Sequence, residues 1–246
     1  MTRAAAYLIL AVVLFLGFAF AALPARLVFD AAANASGVRA GLVQGSVWDA
    51  RILRLSAGGP PIAETRAALR PASLLTGAAR FDVSLRDDTL RGDGVLVLQP
   101  GGAALEQARG GAALSRFPFL AALPPDQSVQ LDINRLAVDS RGRCRQADGT
   151  VSTAALAAAG ETFGAALPVL EGGFLCAGEA IAVQLDGRTD AMEVSGRIRF
   201  DPGGPAWRVT ARTSDRDVVA ALSLIGFVQT GPGAFELDSE RLDEEG

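Results

Sequence analysis

The side chains able to do chemistry are few, and the missing ones narrow the field first. The chain contains no His, and all 23 of its basic residues are Arg. Without an imidazole there is no Ser-His-Asp or Cys-His nucleophile and no His-containing metal site. Without Lys the Ser-Lys arrangement goes too. What remains is carboxylates and two thiols. Acids stand paired at Asp87-Asp88 and at Asp215/Asp217, each in an expected turn or helix start, where solvated or capping carboxylates are the default. Cys144 and Cys176 lack CxxC spacing, and no His is available to lower a thiol pKa. In an oxidising compartment such an isolated pair forms one structural disulfide. A redox couple and two unpaired buried thiols are the alternatives. Arg141, Arg143 and Arg145 alternate around Cys144, as a small anion-docking patch or as a solvated sheet edge guarded by charge. Gly58-Gly59-Pro60-Pro61 does not follow the phosphate-loop pattern. These residues point away from an enzyme, and to no cofactor and no metal.

The elements that would position these groups are mostly strands. Residues 4–25 carry no charge and form a run about as long as a helix needs to cross a ~30 Å hydrocarbon layer. Arg3 precedes this run, which places the N-terminus in the cytoplasm and the rest beyond the inner membrane. Residues 1–25 are therefore expected to be an uncleaved signal anchor. A cleaved signal peptide, with Ala19 and Ala21 at an A-x-A site, is the alternative, and it leads to the same compartment. The net charge of −4 and pI near 5.0 argue against a nucleic-acid partner.

From residue 26 to 238 the pattern is strand, Gly/Asp turn, strand. Phe81 to Arg86 and Val129 to Asn134 alternate strictly, as half-buried strands do. Strands are also expected over 38–44, 46–56, 62–69, 90–98, 144–151, 172–176, 180–185, 192–200, 206–212 and 234–237. A turn or bulge is expected at Gly45-Ser46. Short helices are expected at 153–159 and 218–225. Residues 111–123 read as helical or irregular, so two halves with a hinge near 100–125 are expected. Residues 239–246 form an acidic tail. The fold class is thus mainly β: a transmembrane helix, then a long, curved, mostly antiparallel sheet with a few short helices. Trp48 reads as a core residue of the first strands, with an interface role as the alternative.

Two segments carry a family resemblance. Gly45-Ser46-Val47-Trp48-Asp49-Ala50 is similar to a Gly-x-(Leu/Val)-Trp-x-Gly motif, departing from it at Ala50. Leu69-Arg70-Pro71-Ala72-Ser73-Leu74-Leu75-Thr76-Gly77 is similar to an Arg-Pro-x-x-Leu-Leu-x-Gly pattern leading into the strand at Phe81. With the N-terminal segment ahead and the cysteines and Gly172-Gly173-Phe174-Leu175-Cys176 behind, the chain resembles type II secretion system protein N. The resemblance implies a non-catalytic inner-membrane protein facing the periplasm, whose partners are other components of the secretion machine. It gives Gly45, Val47, Trp48, Arg70, Pro71 and Gly77 structural roles. The β-rich body is also similar, at the level of fold, to AsmA-like proteins, which implies an alternative: an envelope or lipid-transport protein with an apolar sheet groove and lipid as its partner.

Overall fold

The computed structural model describes residues 22–27, 29–30, 38–56, 60–116, 126–201 and 204–239, together with 11, 12, 14, 15 and 18. Among the described residues there are fourteen strands, and every strand pairing described is antiparallel. The chain divides into two units, Met1–Asp87 and Asp88–Gly246. The mainly-β expectation therefore holds. The expected membrane span lies mostly outside the described residues. Among those described, no helix is long and apolar enough to cross a membrane.

The first unit is a meander of β1 (Leu42–Ser46), β2 (Asp49–Leu55), β3 (Ile62–Leu69) and β4 (Ala79–Arg86). β1 and β2 pair from Leu42↔Leu53 to Ser46↔Asp49, which leaves Val47-Trp48 as a two-residue hairpin turn. The turn thus falls two residues later than Gly45-Ser46. Gly45 instead sits within the ladder at φ 88°, where a Cβ would come within 2.2 Å of the Asp49 carbonyl oxygen. Trp48 accordingly lies on the turn, half-buried, while Val47 is buried.

The second unit runs β5 (Leu90–Gln99), β6 (Gly102–Ala113), β7 (Ser128–Asp139), β8 (Cys144–Thr153), helix α1 (Ala155–Phe163), β9 (Leu170–Ala177), β10 (Ala180–Arg188), β11 (Met192–Asp201), β12 (Gly204–Thr213), helix α2 (Arg216–Ile225), β13 (Val228–Gly231) and β14 (Ala234–Asp238). Each strand pairs with the next, except that β14 inserts between β12 and β13. β6 and β13 depart from the sequence reading. The expected hinge region carries the long strand β6 up to Ala113, and residues 117–125 lie outside the described ones.

The helices form because their apolar residues recur at helical spacing. In α2, Val218, Ala221, Leu222 and Ile225 make one buried stripe. Asp215 caps its start, accepting from the N–H groups of Asp217 at 2.9 Å and Val218 at 3.2 Å. That stripe packs with Leu156 and Ala159 of α1 onto Met192, Val194, Ala211 and Phe235, the main core of the second unit.

Candidate functional site

Three places gather the residues singled out by the sequence. The first is one end of the β1–β4 meander. Here β3 hands over to a short 3-10 helix, Pro71–Thr76, before β4 returns. Pro71 opens that helix, where its missing N–H costs nothing. Gly77 closes it at φ 76°, donating its N–H to the Leu74 carbonyl. The Arg70 guanidinium makes a two-pronged contact with the Asp82 carboxylate across the β3–β4 return. Hydrogen bonding from Arg70 holds the Asp82 carboxyl below its ordinary range, and the same bond raises Arg70. The buried Ser73 hydroxyl donates to the Arg70 carbonyl at 2.6 Å and accepts from the Arg80 N–H at 3.1 Å. The Val47 turn lies at the same end: Val47 donates to the Leu23 carbonyl, and its own carbonyl accepts from Leu69 N–H, both at 3.1 Å. The two motif segments are therefore hydrogen-bonded neighbours.

The second place is the β7–β8 turn. Cys144 and Cys176 form a disulfide with a Cα–Cα distance of 5.6 Å. Beside it, Asp139 gathers the neighbouring arginines. Its Oδ1 accepts from the backbone N–H groups of Arg141 and Arg143, and its Oδ2 from the guanidinium groups of Arg143 and Arg145. Burial works to raise the Asp139 carboxyl, but the Arg143 and Arg141 hydrogen bonds outweigh it and hold the group well below the ordinary carboxylate range. Arg143 reaches on to Glu179 at 3.2 Å. Arg143 and Arg145 are thus held within a turn network. The acid pairs are used locally as well: Asp87 Oδ2 accepts the Ala63 N–H, and Asp215 is the α2 cap.

The third place is a sheet face that sequence reading did not single out. Residues directly opposed in a ladder share a face, as do residues two apart along a strand. One row in the second unit runs Leu131, Val151, Gly172, Leu185, Gly196, Val209, Leu237. Phe174, Val183, Ile198 and Trp207 form a row beside it, and Leu96, Leu105, Leu136 and Ala147 another. None of these residues is charged. Helices α1 and α2 cover the edge row Val194, Ala211, Phe235, whereas Leu98 and Phe200 on the same face stay 41% and 49% exposed. The opposite face carries cross-strand ion pairs, Arg109–Asp132 at 3.1 Å and Arg135–Glu106 at 3.1 Å. Alternation was visible in the sequence of single strands such as β4 and β7. Its continuity across strands needs the register, and the bulge at Gln107 (φ 51°) shifts that register within β6.

These places consist of turns, staples and an uncharged face. Among the described residues no group of Cys, Asp and Glu side chains is gathered as a metal site. No curated protein and no solved structure matches the chain. The family model for the type II secretion system (T2SS), protein N, matches residues 36–238, a span that takes in both motif segments, the disulfide and every strand described. The chain belongs to the type II secretion system protein N family.

Proposed function

We propose that this protein is a non-catalytic component of the type II secretion machinery, anchored in the inner membrane by residues 4–25 with its sheet on the periplasmic side. It acts by binding other components of the machine. The family match over residues 36–238 carries this reading. The uncharged N-terminal run and a disulfide suited to an oxidising compartment support it. The means of binding is strand addition at a sheet edge, where unpaired N–H and C=O groups await a partner. The outermost strand β13 has exposed Val228, Gln229 and Thr230. Crosslinking in intact cells followed by purification of the full chain is expected to recover other secretion components. Recovery of none overturns the reading.

The apolar face of the second unit favours a second reading, lipid binding. A photo-reactive residue at Phe200 is expected to capture acyl chains, and one at Arg109 on the charged face is not. Equal labelling of both sites sinks this reading.

A further inference from the structure

The tip of the 3-10 helix is unusual for a surface loop. Pro71, Ala72, Leu74 and Leu75 are exposed, Leu75 to 91%. Residues 71–79 contain no charge, and Arg70 and Arg80 bracket them. The tip is not loosely held. The Arg70–Asp82 contact, the two Ser73 hydroxyl hydrogen bonds and the Gly77 cap fix its backbone, so Leu75 is presented outward on a rigid mount.

The ladder says where this tip points. β1 and β3 both run toward the end that carries Val47-Trp48 and the 3-10 helix. Pro24 forms an antiparallel bridge with Ser46, so the chain at Pro24 runs away from that end. Leu23, just before Pro24, therefore lies at the same end as Leu75. Leu23 and Leu69 flank Val47 through its N–H and carbonyl. That places them about two strand spacings, roughly 10 Å, apart. Leu23, where the uncharged stretch of sequence meets the meander, and the exposed leucine tip thus stand at one end of it.

We infer that Leu74 and Leu75 form an interfacial membrane contact: the 3-10 tip rests in the headgroup and upper acyl region of the bilayer next to the N-terminal span. The inference rests on the anchor reading of residues 4–25. The occupant is a phospholipid surface because the tip stands at the end of the meander where a bilayer-length apolar stretch of sequence joins it at Leu23, and because its charge-free stretch stops at an arginine on each side. Those arginines belong at headgroup level and limit the depth of insertion. Trp48, half-buried on the adjoining turn, sits at the level that interfacial tryptophans favour. The tip and the turn would then set the angle at which the meander leaves the membrane.

The test uses the full chain in vesicles of neutral and anionic phospholipid. Both native cysteines are bonded to each other, so one introduced cysteine takes an environment-sensitive fluorophore. Labels go at Leu75→Cys, at Ala63→Cys and at Phe15→Cys. Ala63 is exposed and lies six residues before Leu69 on β3, about 20 Å from this end. The expected result is a blue-shifted Leu75 label quenched by headgroup-region nitroxide lipids, a Phe15 label quenched by deep nitroxides, and an Ala63 label quenched by neither. A Leu75 label quenched only by aqueous iodide, as at Ala63, overturns the inference. If the Phe15 label behaves so in that sample, the anchor reading has failed as well. If Phe15 is quenched and Leu75 is not, the tip fails alone. Protection of the Leu75 label from both lipid and aqueous quenchers also overturns the inference and assigns the tip to a protein contact.

Discussion

The disulfide bears more on the second unit than its position at a strand end suggests. Strands β8 and β9 are paired over Thr150↔Gly173 to Thr153↔Leu170. The pairing does not continue along Cys144–Gly149 and Phe174–Ala177, and there the two strands are joined by the Cys144–Cys176 bond. The Cys144 N–H adds a 2.7 Å hydrogen bond to the Glu179 carbonyl. The bonded residues are 32 apart in sequence. For a loop of that size, the chain-entropy expression gives about 12 cal/mol/K, or about 3.7 kcal/mol at 25 °C. A double Cys144→Ala/Cys176→Ala variant of the full chain in a membrane mimic is therefore expected to lose about 3.7 kcal/mol in urea unfolding. With a slope of about 2–3 kcal/mol/M, the midpoint falls by roughly 1.2–1.9 M. Hydrogen exchange separates this from general loosening. Amides of 144–149 and 174–177 are expected to speed up most, those of 150–153 and 170–173 less, and those of β1–β4 not at all. A midpoint shift below about 0.3 M, or acceleration spread evenly over the second unit, refutes the argument that the bond replaces missing ladder.

Other perturbations test separate features of the fold. The Asp139 carboxyl is held low in the folded state, so its contribution is fully present above the unfolded carboxylate value near 4 and is lost as pH falls through the lower folded value. Asp139→Asn is expected to lower the urea midpoint at pH 7 and to narrow the gap between pH 7 and acid. An unchanged gap refutes that assignment. Gly45→Ala and Gly77→Ala both place a Cβ at positive φ, but only at Gly45 does that Cβ meet a backbone oxygen, at 2.2 Å. Thermal unfolding is expected to show a loss of about 1 kcal/mol at Gly77 and a clearly larger one at Gly45, and equal losses count against the hairpin geometry. Leu222 is fully buried under α2, so Leu222→Ala is expected to cost about 3 kcal/mol by denaturant titration.

How far the sequence reached can be judged strand by strand. Residues 81–86 of β4 and 129–134 of β7 were legible because their apolar residues alternate strictly and turn residues flank them. β6 was not, for two physical reasons. Its residues are largely Ala and Gly, which carry little strand preference of their own. Gln107 at φ 51° also inserts a bulge that breaks the alternation halfway. β6 is a strand because β5 and β7 pair with it on either side of that bulge, and that is tertiary information. The disulfide could be read from two isolated cysteines. The Asp139 network could not, since nothing in the spacing says that a turn will fold Arg143 and Arg145 back onto one carboxylate. Trp48 was misplaced by the same uncertainty that moved the turn: a glycine tolerated inside a ladder looks, in sequence, like a glycine that ends one.

The two readings of function use different regions of the second unit's sheet, and this makes them separable. Strand addition needs backbone groups at an edge, so a charge placed there should disturb it while leaving the faces intact. Val228 lies on the outermost strand β13 and is 48% exposed, so lysine fits without displacing core. Lipid binding needs an uncharged face, where a carboxylate must be desolvated against acyl chains. Phe200, 49% exposed on that face, accepts Glu with its charge in water when the face is empty. Val228→Lys is therefore expected to reduce crosslinking to secretion components and leave lipid capture unchanged. Phe200→Glu is expected to do the reverse. If both variants lower crosslinking equally and neither alters lipid capture, the apolar face serves protein contact, and lipid drops out of the account. If Phe200→Glu abolishes lipid capture and secretion together, then lipid occupancy is a condition for the sheet to engage its partners.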